Sequence, residues 1–160
     1  MSATAVAALV LAGTAGTSGT APRSSRTRPR VWYVVDGDTV RLTSGRYVRL
    51  VQIDAPELHP AECYGRRASR LLRSWIAPGS RVTLEADPRL DRVDRYGRLL
   101  RYVFSGARNL NLALVRRGAA TVWFYNGDKG RYAARLLSGA RRARKDRRGL
   151  WGACRAVWNP

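Results

Sequence analysis

The sequence predicts an α+β domain in which five short strands curl into a small barrel and about three helices pack against it. Two observations predict it. Alternating β-branched segments crowd the part of the chain around residues 32–53, and stripes of alanine and leucine at helical spacing follow them. A chain of 160 residues is one domain, long enough to bury a core.

The elements follow in order. The first 21 residues carry no charged side chain, and the apolar run Ala5–Ala12 is followed by small residues, with cleavage options after Ala15 or Ala21. Residues 1–21 therefore read as a secretory signal, too short for a membrane span and lacking the usual basic start. Residues 22–30, PRSSRTRPR, read as a basic linker, and residues 31–160 as the domain. Trp32–Val35, Thr39–Thr43 and Tyr47–Ile53 alternate as strands, with Thr43-Ser44-Gly45 turning the second pair. In the third strand, alternation puts Arg49, Val51 and Ile53 on one face and Leu50, Gln52 and Asp54 on the other.

Tyr64 to Ile76 places Ala68, Leu71, Leu72, Trp75 and Ile76 on one helical stripe, with arginines opposite, and Pro78-Gly79 stops it. Val82, Leu84 and Ala86 form a fourth strand and Leu99–Phe104 a fifth, separated by the polar loop DPRLDRVDRYG. Asn109 caps a short helix that Gly118 ends. A strand-like TVWFY follows at 121–125. The last helix runs from about Arg131 to Arg147, with Ala134, Leu137 and Ala140–Ala143 inward. Three strands, a helix, two strands and then helices is the order of a five-stranded Greek-key barrel of the oligonucleotide-binding (OB) type.

Lys and Arg number 30 against 11 Asp and Glu, a formal charge of +19, and Lys129 and Lys145 are the only lysines. Arginine's planar fork suits phosphate, so the surplus predicts a polyanionic partner beyond what an arginine-favouring codon bias would produce. With one histidine and two cysteines outside any Cys-x-x-Cys pair, a structural zinc site is excluded. In an exported protein Cys63 and Cys154 would form one disulfide; in a cytosolic one they would remain thiols.

Residues 34–42 read VVDGDTVRL. Asp36-Gly37 between apolar runs signals a two-residue hairpin turn, since glycine takes positive φ without strain, yet two carboxylates beside a glycine are also half of a metal site. The EF-hand spacing is absent. The third strand ends at Asp54, and Pro56 forces Ala55 to be extended, holding Glu57 just beyond the sheet. Hairpin pairing brings Asp38 beside that strand. Asp38 and Asp54 then offer hard oxygens which, with a backbone carbonyl and waters, make a calcium-type shell. Arg95, Tyr96 and Arg98 stand at the entry to the fifth strand. Arginine near a metal suits phosphoryl chemistry, because charge spreads onto the non-bridging oxygens as phosphorus becomes five-coordinate. The single histidine, His59, poorly supplies any mechanism that needs a histidine pair.

Five motifs in order, VVDGDTV, VRLVQIDAPE, YGRRA, DRYGR and RGLWG, spread between Val31 and Gly152, resemble the staphylococcal nuclease (thermonuclease) family. The resemblance implies an OB-like barrel and a calcium-dependent nuclease acting on single- and double-stranded DNA and RNA and leaving 3′-phosphate ends. It implies Asp38 and Asp54 as calcium carboxylates, with Ala55 supplying a main-chain carbonyl where the family usually has threonine. Glu57 falls on the glutamate that activates the attacking water, Arg49 and Arg98 on the phosphate-clamping arginines, and Arg95 and Tyr96 near the terminal phosphate. The family packs the tryptophan of RGLWG toward the start of the first helix, which would let Cys63 and Cys154 meet. The segment between Glu57 and Tyr64 is shorter than the family's mobile loop, and Trp123-Phe124-Tyr125 lines up only loosely with its base-stacking tyrosines. The expectation is a secreted monomer needing no protein partner and no membrane. One rival, a non-catalytic basic OB module that only binds nucleic acid, would have lost Asp38, Glu57 or an arginine. The other, a cationic protein acting on membranes, does not need the carboxylate cluster.

Overall fold

The computed structural model describes Met1 and residues 26–155. The remainder of the stretch read as a signal, and residues 22–25 of the linker, lie outside the described residues. The elements are β1 (Arg26–Thr27), β2 (Val31–Val34), β3 (Thr39–Leu42), β4 (Tyr47–Leu50), β5 (Ile53–Asp54), α1 (Gly65–Trp75), β6 (Thr83–Glu85), β7 (Leu99–Ser105), β8 (Arg108–Asn109), α2 (Leu110–Arg116), β9 (Thr121–Val122), α3 (Ala133–Lys145) and α4 (Leu150–Ala153). The α+β class and the three main helices match the sequence reading. No helix among the described residues is long and apolar enough to cross a membrane.

The closed five-stranded barrel does not form. Seven strands make one mixed sheet in the order β1-β6-β7-β4-β3-β2, with β8 on β7, while β5 and β9 pair separately. The β4–β7 pair is parallel and its neighbours are antiparallel. Where closure would need a ladder, the two sides meet at an isolated bridge, Arg30 to Arg81. Beside it, the Val31 N–H donates to Ser80 O at 2.9 Å and the Val82 N–H to Pro29 O at 3.1 Å. Pro29 has no N–H and interrupts this pairing, which resumes beyond it in the same register as Thr27 opposite Leu84 and Arg26 opposite Glu85.

Four local readings are corrected. The Asp36-Gly37 turn is a four-residue loop, residues 35–38, closed by the Val35 N–H on Thr39 O at 2.9 Å. Gly37 is absent from the positive-φ residues; it serves close approach, since a Cβ there would lie 2.6 Å from Ala55 Cβ. The strand read as Tyr47–Ile53 breaks after Leu50 into a turn at Val51-Gln52, with Gln52 left-handed at φ 64°. The buried stripe of α3 is Ala133, Leu136, Gly139 and Ala143, one position ahead of the Ala134 and Leu137 reading. Adjacent leucines at 136 and 137 gave the stripe no unique register. The strand-like TVWFY is a strand only at Thr121–Val122 before the chain enters a 3₁₀ turn, Tyr125–Gly127.

The core lies between the sheet and helices α1–α3. Val40, Val48, Leu50, Leu72, Leu110 and Leu114 are among its fully buried residues, from both layers. Ala68, Leu72 and Ile76 bury as the helical stripe requires, and Leu71 and Trp75 pack at its margin. Asn109 caps α2 as expected, its side chain accepting from the Leu112 N–H at 3.0 Å.

Candidate active site

Asp36 and Asp38 do different work. One oxygen of Asp36 accepts the N–H groups of Asp38 and Thr39, at 2.9 and 2.7 Å, and so holds the 35–38 loop. Asp38 is buried and faces the opposite way. Its Oδ1 accepts the Thr39 hydroxyl at 3.0 Å, its Oδ2 accepts the Ala55 N–H at 2.9 Å, and its carbonyl accepts the Leu50 N–H at 2.8 Å. The hairpin thus carries Asp38 to the end of β4, as its register requires. Asparagine at 36 keeps the accepting oxygen, so Asp36→Asn should melt near wild type. Asp36→Ala should lose about 1–3 kcal/mol in a denaturant titration, the cost of leaving those donors unpaired.

Arg49 joins the carboxylates. Its Nη2 lies 2.6 Å from Asp54 Oδ1 and 3.4 Å from Asp38 Oδ2, and its Nη1 donates to Ile53 O at 2.8 Å. Simple alternation had placed Arg49 and Asp54 on opposite faces. The left-handed Gln52 reverses that, because one residue out of the extended region re-aims every side chain after it. Two groups that sequence reading missed hold this turn. Gln52 is buried, accepting from Tyr102 Oη at 2.7 Å and donating to Asp128 O at 2.9 Å. Asn111, buried in α2, donates to Val51 O at 2.8 Å and accepts from Val103 N–H at 3.0 Å. Unpartnered polar side chains beside alternating positions carry no distinguishing sequence signal.

Glu57 is held by its backbone. Its N–H donates to Glu62 Oε2 at 2.8 Å and its carbonyl accepts the Glu62 N–H at 3.0 Å. A Cβ at Gly65 would overlap that same carbonyl, so the glycine of YGRRA lets α1 start against Glu57. The Glu57 side chain is exposed and, among the described residues, has no ion pair.

The electrostatics are those of crowded carboxylates. Burial, then Asp38, push Asp54 up to about 6. Burial, then Asp36, Asp38 and Asp54, raise Glu57, and burial with Asp38 raises Asp36. Burial alone would lower Arg49, but Asp38 and Asp54 outweigh it and hold the guanidinium more firmly charged. In a chain of charge +19, this is a local acidic pit short of positive charge.

Arg98 stands just before β7, the strand that pairs in parallel with β4 and sets Leu100 opposite Arg49. Asp94, which sequence reading assigned no role, fixes it, accepting Arg98 Nε at 2.6 Å and Arg98 N–H at 2.9 Å. Burial opposes ionisation of Asp94, but the bonds from Arg98 prevail and lower its pKa. A depressed carboxylate stabilises the fold above its ordinary value of 3.8 and loses that contribution as pH falls through the depressed value. Asp94→Asn should therefore flatten the acid limb of the melting profile below about pH 4. An unchanged limb would show that the pair contributes nothing. Arg95 and Tyr96 stand exposed at the loop tip, with Arg95 Nη2 2.6 Å from Tyr96 Oη and both Arg95 and Arg98 against the Tyr96 ring. The structure thus gathers Asp38, Arg49, Asp54 and Ala55 in direct contact, hangs Glu57 beside them, and leaves Arg95 and Tyr96 at the periphery.

Among the described residues no group of three or more His, Cys, Asp or Glu converges as a metal site. Asp38 and Asp54 with main-chain oxygen and water is a smaller donor set than that.

The sequence pattern described as "Staphylococcal nuclease homologue" matches residues 47–153. The thermonuclease of Staphylococcus hyicus is 30% identical over 129 residues, covering 76% of this chain and 74% of the relative. Endonuclease YncB of Bacillus subtilis (strain 168) is 30% identical over 132 residues, 78% of this chain and 62% of the relative. The SPbeta prophage-derived endonuclease YokF of the same strain is 32% identical over 124 residues, 73% of this chain but only 41% of the longer relative. With its fold order, its carboxylate–arginine cluster and a match over most of its length, the chain belongs to the staphylococcal nuclease family.

Proposed function

We propose that the protein is a secreted, monomeric, calcium-dependent nuclease that hydrolyses phosphodiester bonds of single- and double-stranded DNA and RNA and leaves 3′-phosphate ends. The observation that carries the proposal is the Arg49 guanidinium bridging Asp38 and Asp54, with Glu57 beside them. The donor set fits calcium: hard carboxylate oxygens of Asp38 and Asp54 and a main-chain oxygen at Ala55. Bound there, calcium would neutralise Asp38 and Asp54 and lower the pKa of coordinated water. Glu57 accepts the proton of the attacking water, and its raised pKa suits it to the task. Arg49 and Arg98 receive the charge that develops on the phosphate oxygens. Arg98 does so as a fixed cation, since a guanidinium holds its proton and is a poor proton donor. Arg95 and Tyr96 meet a terminal phosphate at the loop tip.

The test is digestion of single-stranded DNA with calcium and again with excess chelator, followed by chemical analysis of the ends. Activity undiminished by chelator would sink the metal assignment, and 3′-hydroxyl products would sink the cleavage position. Asp38→Asn should weaken calcium binding at least about tenfold in a titration while leaving the melting temperature close to wild type. One ligand charge is lost, while the amide oxygen still accepts the Ala55 N–H and its NH2 can donate to the Thr39 hydroxyl.

A further inference from the structure

Trp123 separates two cavities. On one side it lies 5.4 Å from the Arg49 guanidinium and lines the cleft that includes Leu100 and Tyr125. On the other side lies a groove of about 430 Å³, walled by Trp123, Phe124, Leu137, Arg141, Arg144 and Trp151. Trp123 is the one residue the two share.

The groove has a consistent chemistry. Leu137, Ala140, Arg141 and Arg144 recur at i, i+3, i+4 and i+7, a second stripe on α3 turned away from its buried one. Arg144 stacks 5.7 Å from the Trp151 ring centroid. Arg142 and Arg148 share Asp146, but among the described residues neither Arg141 nor Arg144 has a carboxylate partner. Flat aromatic walls beside uncompensated guanidinium groups match an unpaired base with its phosphate, the pattern by which proteins bind single strands without sequence preference. An acidic peptide would use the arginines and leave the aromatic walls idle.

We infer that this groove is a second nucleotide subsite, holding an unpaired nucleotide of the strand whose phosphodiester lies at Arg49. The identity of that strand rests on the nuclease reading. The subsite itself is tested without catalysis, so the two can fail separately.

The experiment measures binding of a fluorescent 12-nucleotide oligothymidylate, in chelator at fixed salt, to the full chain and three variants. Arg141→Glu with Arg144→Glu should raise Kd at least about tenfold, and Phe124→Ala about fivefold or more, the scale of a lost stacking contact. A charge-matched control on α1, Arg66→Glu with Arg70→Glu, should raise it less than about threefold, because it changes only the long-range field. A DNA duplex of equal length should be insensitive to Phe124→Ala, its bases being stacked on each other. An equal effect from the control pair, or an unchanged Kd in Phe124→Ala, overturns the subsite. So does equal competition by polyglutamate. Absence of cleavage by wild type with calcium would instead overturn the nuclease reading and leave this binding result standing.

Discussion

Glu57→Ala is expected to lower the rate of phosphodiester hydrolysis by at least about a hundredfold, the scale for losing a positioned general base. The side chain is exposed and, among the described residues, outside any ion pair, so its removal should not move the melting temperature. Its carboxyl sits near Asp36, Asp38 and Asp54, whose charges raise its proton affinity beyond that of a solvated glutamate. Arg98→Ala should cost a similar factor for a different reason, the loss of a fixed cation where charge develops. Arg98→Lys should recover little of it: lysine keeps the backbone N–H bond to Asp94 but has neither the Nε donor nor the planar fork that fixes the cation. Undiminished turnover in Glu57→Ala would remove its catalytic role, and a matching collapse of the melting curve would make it structural.

Reduction of the disulfide is expected to destabilise the domain by up to about 4–5 kcal/mol, the chain-entropy value for a loop of roughly ninety residues. Cys63 and Cys154 are bonded, with Cα atoms 5.9 Å apart and a sequence separation of 91. The bond fastens the C-terminal end of α4 to the segment just before α1. That segment also carries Glu62, whose carboxylate holds the Glu57 N–H. Reduction should therefore loosen the Glu57 loop before it unfolds the sheet, seen as faster amide exchange at residues 57–64. Mass spectrometry of the native protein with and without reductant, with parallel denaturant titrations, checks both points. Two free thiols in protein purified without reductant, or superimposable titrations, would refute it. The bond also fits export to an oxidising compartment.

Local pattern was enough for the element order, the helical stripe of α1 and the cap at Asn109. Each depends on neighbours within one turn or one strand, where periodicity and side-chain chemistry act directly.

What only the tertiary structure decided lies where the chain departs from periodicity. Alternation predicts faces only while a strand continues, and Gln52 at φ 64° ends that condition, bringing Arg49 and Asp54 together. Gln52 holds that backbone conformation with bonds to Tyr102 and Asp128, 50 and 76 residues away, which no local window contains. Gly37 and Gly65 likewise look like turn and helix-start residues in sequence, yet each is placed for backbone approach by a partner from another element. Pro29 interrupts the pairing of residues 26–30 with 81–85, two segments that become neighbours only after folding. Periodicity determined the elements and their chemistry; long-range hydrogen bonds and steric contacts, which form only in the folded chain, determined how those groups converge.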